Sequence, residues 1–268
     1  MRKTYNMDKL IVYIPTLKRE GKQYTLESIP ERWKDRVFLV CPKDEKHDWP
    51  NRVDVPEECI GNIGKTRQWI LEQAPTSLVG QFDDDLTFYK RDETVKTKNH
   101  KQADCGEFLD LMEQWLQSGD VFCGLSNSFM SHNNDSEYFY GKPSHSSFVN
   151  RDYLAEKGIR YDAMRYFEDF HVPLAVLESG KQLHYTGEHI AVEKKANAEG
   201  GCSTTRTAAN NREAMFRLQE LHPKYVTLKE EEGAKNQSLE VGVKMRIAFA
   251  KAHKDNVKNG ETLDGFFN

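Results

Sequence analysis

The sequence predicts an α/β fold with a mostly parallel central sheet flanked by helices, on three observations. Short apolar, β-rich runs recur at residues 10–14, 37–41, 78–82 and 121–125. Segments of helical spacing, notably 64–73 and 108–117, stand among them. Pro15, Pro42 and Asp83 stop three of the runs at one end. Strands alternating with helices build βαβ units, and in such sheets ligands sit beyond the carboxyl ends of the strands.

Between these runs, 26–33 reads as a short helix and 52–55 as a brief strand. Residues 90–101 carry Lys90, Arg91, Lys96, Lys98, His100 and Lys101 and read as an exposed loop. Residues 126–147, rich in Ser, Asn and aromatics, suit a long functional loop. Residues 151–157 read as a short helix; 167–179 read as a helix with Phe170, Leu174 and Leu177 on one side. The stretch 182–192 looks extended, Gly200-Gly201 opens a loop, and 211–221 reads as a helix. After Lys229 the chain is charged, with an amphipathic helix expected over 241–250. The expected division is a domain over 8–228 and a charged helical extension over 229–268.

The chain's 268 residues suffice for one large α/β domain or two small ones. With 30% charged residues it is polar, yet 11% aromatics can furnish a core. A net charge of −4 excludes a protein that coats nucleic acid, so any polyanion contact is a local patch. No apolar run approaches the roughly 20 residues that span a bilayer. The first ten residues are charged and lack a signal-peptide core. Five widely spaced cysteines form no CxxC pair. A reducing, cytoplasmic compartment is expected.

Asp83-Asp84-Asp85 follows an apolar strand directly. Adjacent carboxylates repel, and a hard divalent cation relieves that repulsion through oxygen ligands. Alternate residues of an extended segment point the same way, so Asp83 and Asp85 are expected to face one metal, with Asp84 turned aside or toward a ribose. A cation there would stabilise a departing diphosphate. The competing reading is a solvated acidic turn.

Gly61-Asn-Ile-Gly-Lys-Thr66 is not a P-loop, because Cys59 stands where the first glycine belongs. It does open a helix, whose free N–H groups favour an anion, with Lys65 and Arg67 one turn inside. A plain helix start is the alternative. Tyr166-Phe-Glu-Asp-Phe170 places two acids at another helix start, where the dipole favours them. They also suit general-base chemistry on a hydroxyl acceptor: Asp169 as base, with Glu168 orienting a substrate hydroxyl. Of His145, His184 and His189, the last is expected to complete the site begun by Asp85. Arg206, after the two glycines, is expected to reach a phosphate.

In this order the features resemble the GT-A-fold glycosyltransferases, over roughly residues 10–206. Within that fold the stretch from Gly158 to Phe170, Gly-Ile-Arg-Tyr-Asp-Ala-Met-Arg-Tyr-Phe-Glu-Asp-Phe, is similar to the TET-associated and phage DNA-modifying glycosyltransferases. The resemblance implies a UDP-sugar donor, a Mn²⁺ or Mg²⁺ ion, and a hydroxymethylated pyrimidine of phage DNA as acceptor. It implies Asp83 and Asp85 at the metal, Asp84 near the ribose, and Thr16, Arg19 and Arg67 near the nucleotide. It further implies Asp169 as base in an inverting displacement. The family's histidine ligand maps onto His189, with His184 second. Glucose and arabinose both remain open as the sugar.

A DNA acceptor needs cations for its phosphates and a base out of the stack. Lys90, Arg91, Lys96, Lys98 and Lys101 are candidates for the first, with Lys194, Lys195, Arg206 and Arg212. Phe148, Phe129, Tyr138, Phe139 and Tyr140 are candidates to stack on the base. Three readings compete: the same chemistry on a glycan, lipid or protein; a nucleotide- or DNA-binding module without turnover; and a nucleotidyltransferase.

Overall fold

A computed structural model describes residues 8–91, 100–125, 137–142, 145–193, 205–236 and 239–257. Strand β1 (Ile11–Pro15) leads to two short helices, α1 (Tyr24–Glu27) and α2 (Glu31–Lys34), where one was expected. Pro30 divides them, since its ring holds the extended backbone that precedes α2. Strands β2 (Val37–Cys41) and β3 (Arg52–Asp54), helix α3 (Ile63–Gln73) and strand β4 (Leu78–Phe82) follow as expected. Strand β5 (Leu86–Arg91) starts directly after the aspartates, so Lys90 and Arg91 belong to a strand and not to a loop. Lys101 lies in β6 (His100–Gln102), while Lys96 and Lys98 fall outside the described residues. Helix α4 (Gly106–Gln117), strands β7 (Phe122–Leu125), β8 (Glu137–Tyr138) and β9 (Ser146–Asn150), and helices α5 (Arg151–Glu156) and α6 (Glu168–Glu178) come next. The extended stretch resolves into β10 (His184–Thr186) and β11 (His189–Glu193), ahead of helix α7 (Ala208–Leu221).

The main sheet has eight strands in the order β3-β2-β1-β4-β9-β7-β10-β8. Six run one way; β9, between β4 and β7, and β8, at the edge, run against them. Strands β11, β5 and β6 form a separate antiparallel sheet. Both faces of the main sheet are covered, as parallel strands require. Successive residues of β1 therefore serve two cores: Ile11 and Tyr13 one, Val12 and Ile14 the other.

Phe148 of β9 is wholly buried, with ring centroids 5.2 Å from Phe82 and 5.3 Å from Phe108. It is a core residue, contrary to the expected contact with DNA. Its ring also fills the place of a side chain at Gly80, where an added Cβ would lie 2.4 Å from it.

The extension expected to be helical contains strands as well. Val226–Glu230 (β12) pairs antiparallel with Val243–Ile247 (β15), and between them Lys235–Asn236 (β13) pairs with Leu239–Glu240 (β14). Among the described residues of the extension, Phe249–Asn256 (α8) alone is helical. The boundary expected after residue 228 falls inside β12. Behind α6 the imidazoles of His171 and His222 meet at 2.8 Å, and Glu178 lies 2.6 Å from His222. Among the described residues no helix is long and apolar enough to cross a membrane.

Candidate active site

The aspartates lie at the carboxyl end of β4, beside that of β1. Fully buried Thr25 fixes their turn: its hydroxyl donates to the Asp83 carbonyl (2.6 Å) and accepts from the Leu86 N–H (2.9 Å). Because residues 83–85 turn, strict strand alternation does not hold. Asp84 and Asp85 share one cation, Arg19, whose Nη1 donates to them at 2.7 and 2.6 Å. Thr16 donates to the other Asp84 oxygen at 2.5 Å, and Gln23 donates to Thr16 at 2.9 Å. Both Asp84 oxygens thus accept a hydrogen bond within the protein. Burial raises Asp84 to about 7 despite Arg19 and Thr16.

Asp83 has other partners. It accepts from Arg67 at 2.9 Å and lies 3.4 Å from His145. Burial alone would raise its pKa, but His145 and Arg67 outweigh this and hold it below the ordinary carboxylate range. His145 is also 3.3 Å from Glu193. Burial would lower the imidazole; the hydrogen bond and charge of Asp83, together with Glu193, leave it raised. Glu193 arrives because β11 pairs it with Leu86, next to the triplet. Neither His145 nor Glu193 is marked by a motif; a register between distant strands brings them here.

Arg67 projects from α3, whose entry is capped by the Asn62 side chain on the Lys65 N–H at 3.1 Å. Its Nε lies 3.2 Å from Glu168, without the alignment of a hydrogen bond. Arg67 therefore spans from the triplet to the start of α6. Phe167 opens α6 in the left-handed region at φ 65°, and Glu168 and Asp169 occupy the first turn. Burial, then the charge of Asp169, raise Glu168 to about 7 in spite of Arg67. Asp169 is more open and pairs with Lys142 at 3.2 Å. Segment 161–164 abuts α3 so closely that a Cβ on Gly64 would stand 1.9 Å from the Met164 carbonyl oxygen.

The structure thus gathers Thr16, Arg19, Arg67, Asp83, Asp84, Asp85, Glu168 and, through Lys142, Asp169. Other expected residues fall elsewhere. His189 pairs with Lys90, four residues along β11 from Glu193, or about 13 Å; its ring packs near Phe108 at 5.9 Å, and burial lowers its pKa. His184 stacks on Trp115 at 3.5 Å and is held by Asp120 at 2.7 Å. Lys65 is exposed, because two residues along a helix turn a side chain about 200° away from Arg67. Lys90 pairs with Glu107 at 2.6 Å. Arg91 ends β5, beyond Lys90. Arg206 lies over the Tyr166 ring at 4.7 Å and near Phe167 at 5.8 Å, next to the start of α6.

The donor set suits a hard cation in kind. Six carboxylates, Asp83, Asp84, Asp85, Glu168, Asp169 and Glu193, stand against three fixed cations, Arg19, Arg67 and Lys142. Among the described residues no three His, Cys, Asp or Glu side chains form a ready metal cluster, so oxygens of a bound diphosphate would have to complete the shell. The segments after β1, β2 and β3 enclose an open cleft of about 490 Å³ lined by Leu17, Lys18, Glu20, Pro42, Asp44, Glu45 and Ile60. Glu45 ties the first two together, accepting from the Lys18 N–H at 2.6 Å.

No curated protein matches the chain. Among solved structures, S. aureus TarS 1–349 in complex with UDP-GlcNAc is similar at 15% identity and a TM-score of 0.45, covering 80% of this chain and 66% of that one. The same protein with UDP gives 16% identity and a TM-score of 0.39, over 80% and 65%. The chain thus spans just under two thirds of those structures. A family model described as TET-Associated Glycosyltransferase matches residues 10–201. The chain, with its parallel sheet ending in an aspartate turn, belongs to the TET-associated glycosyltransferase family.

Proposed function

We propose that the protein is a metal-dependent, inverting glycosyltransferase. It moves glucose or arabinose from a UDP-sugar to the hydroxymethyl group of 5-hydroxymethylcytosine in phage DNA, in the host cytoplasm. The observation that carries this reading is Arg67: one buried guanidinium ties the aspartate turn to the acids of α6, holding donor and acceptor groups in one frame.

The cleft between Leu17 and Ile60 suits the donor's base, and Arg19 and Arg67 suit its phosphates. Asp85 and Asp83, with Glu193 and His145 beside them, would hold the divalent ion, which supplies charge neutralisation to the departing diphosphate. Asp169 takes the proton of the acceptor hydroxyl as its oxygen bonds to the sugar C1. The C1–phosphate oxygen bond breaks on the opposite face, and its electron pair leaves with UDP. The negative field of Glu168 and Asp83 suits an oxocarbenium-like transition state.

Labelled UDP-sugars incubated with hydroxymethylated DNA, unmodified DNA and polysaccharide test the reading. Label on the hydroxymethylated DNA alone, with release of UDP, is expected. Label on polysaccharide and never on DNA would reject the acceptor. Donor left intact under every condition would reject the enzyme.

A further inference from the structure

Helix α8 lies beyond residues 10–201 matched by the family model, yet it packs on α6, the helix that carries Asp169. Phe249 stacks on Phe170 with ring centroids 6.3 Å apart and planes 24° from parallel. Phe170 directly follows Asp169. Lys142 lies over the same Phe170 ring at 4.4 Å while its Nζ reaches Asp169. Two residues before Lys142, the Tyr140 ring meets His253 of α8 at 5.4 Å. Tyr140 is 49% exposed and its neighbour Phe139 37%. The chain therefore lays an aromatic wall outward from the candidate base, and its outermost ring, Tyr140, is half exposed to water.

We propose that this wall is the acceptor subsite, and that a pyrimidine base turned out of a polynucleotide stacks on Tyr140 with its hydroxymethyl group toward Asp169. The proposal rests on the glycosyltransferase reading above and adds where the acceptor binds. A base leaving its stack loses contacts that an aromatic side chain restores. Charge favours a polynucleotide over a neutral sugar ring: Lys254, exposed on α8 next to His253, suits a phosphate. The role of α8 is then to supply Phe249 and His253 as the backing that holds Phe170 and Tyr140 in place.

The test measures anisotropy of a labelled single-stranded oligonucleotide containing 5-hydroxymethylcytosine, together with the KM for DNA and for donor. Tyr140→Ala and Phe249→Ala are expected to weaken DNA binding by about 10-fold or more and to raise the KM for DNA far more than the KM for donor. Tyr140→Phe keeps the ring and restores both. Phe216→Ala, an exposed ring on α7, leaves both unchanged, and melting temperatures report whether each variant folds. DNA modified normally by folded Tyr140→Ala protein overturns the subsite while the enzyme reading stands. Tyr140-dependent DNA binding without any sugar transfer supports the subsite and overturns the enzyme reading. A glycan acceptor whose KM, in place of DNA's, follows Tyr140 overturns the nucleobase as occupant.

Discussion

Arg67 joins Asp83 at 2.9 Å and approaches Glu168 to 3.2 Å, so one buried cation serves two carboxylates from distant parts of the chain. Truncating it strands both acids. Arg67→Ala is expected to destabilise the fold by about 3–5 kcal/mol, as breaking a buried pair does, and to abolish turnover. Arg67→Lys keeps the charge but cannot span both partners, so it should fold better and still lose activity. Urea unfolding and a sugar-transfer assay separate the two effects.

Asp85 gives one oxygen to Arg19 and stands beside Glu193. If it anchors a cation that receives the diphosphate, UDP with Mn²⁺ should raise the melting temperature of the wild type and not of Asp85→Ala. An equal rise in both proteins would remove Asp85 from the metal. His189→Ala should keep the full UDP-dependent rise, since β11 carries His189 away from the triplet.

Asp169→Asn keeps the shape of the side chain and removes the base. The expected loss in kcat is about 10²–10⁴-fold with little change in the KM for donor. A normal kcat would move the role elsewhere, and Glu168, raised to about 7, is the adjacent candidate.

His171 supplies a pH dependence away from the site. Burial, and then the neighbouring His222, depress it from 6.5 to about 4. Unfolded protein therefore binds the proton first, and stability rises with pH between these values. The contribution is complete above about pH 6.5, shrinks as pH falls, and is gone below about 4. Its size is on the order of 3 kcal/mol. Melting temperatures from pH 4 to 7 should show this slope, and His171→Gln should flatten it.

Gly64→Ala places a methyl carbon against the Met164 carbonyl. Since α3 cannot withdraw without moving Arg67, activity should fall together with the melting temperature. An Ala variant as stable and active as wild type would show that the two segments are free to part.

The strands bearing the site were legible because β1, β2, β4 and β7 are continuous apolar runs, the mark of strands covered on both faces. Asp83, Arg67 and Asp169 stood out because they follow such a run or open a helix. Strand β9 escaped notice because Ser146 and Ser147 lend a central strand a loop's composition. His145 and Glu193 were not singled out for the site, and His189 was misplaced, for one reason: which end of β11 meets the aspartates depends on register with β5. The stranded C-terminus was missed differently. Val226 and Leu228, and Val243, Met245 and Ile247, alternate with polar residues at period two, a pattern hidden by reading the region for its charge.

The position of β9 also dictates how a growing polypeptide assembles. Strands β4 and β7 do not pair with each other; β9, made after both, lies between them and pairs with each. Until residue 150 has left the ribosome, one edge of β4 and both edges of β7 stay bare, since β10 comes later still, and a slot over Gly80 awaits the Phe148 ring. A stall or truncation anywhere before that keystone would release a sticky, half-zipped chain.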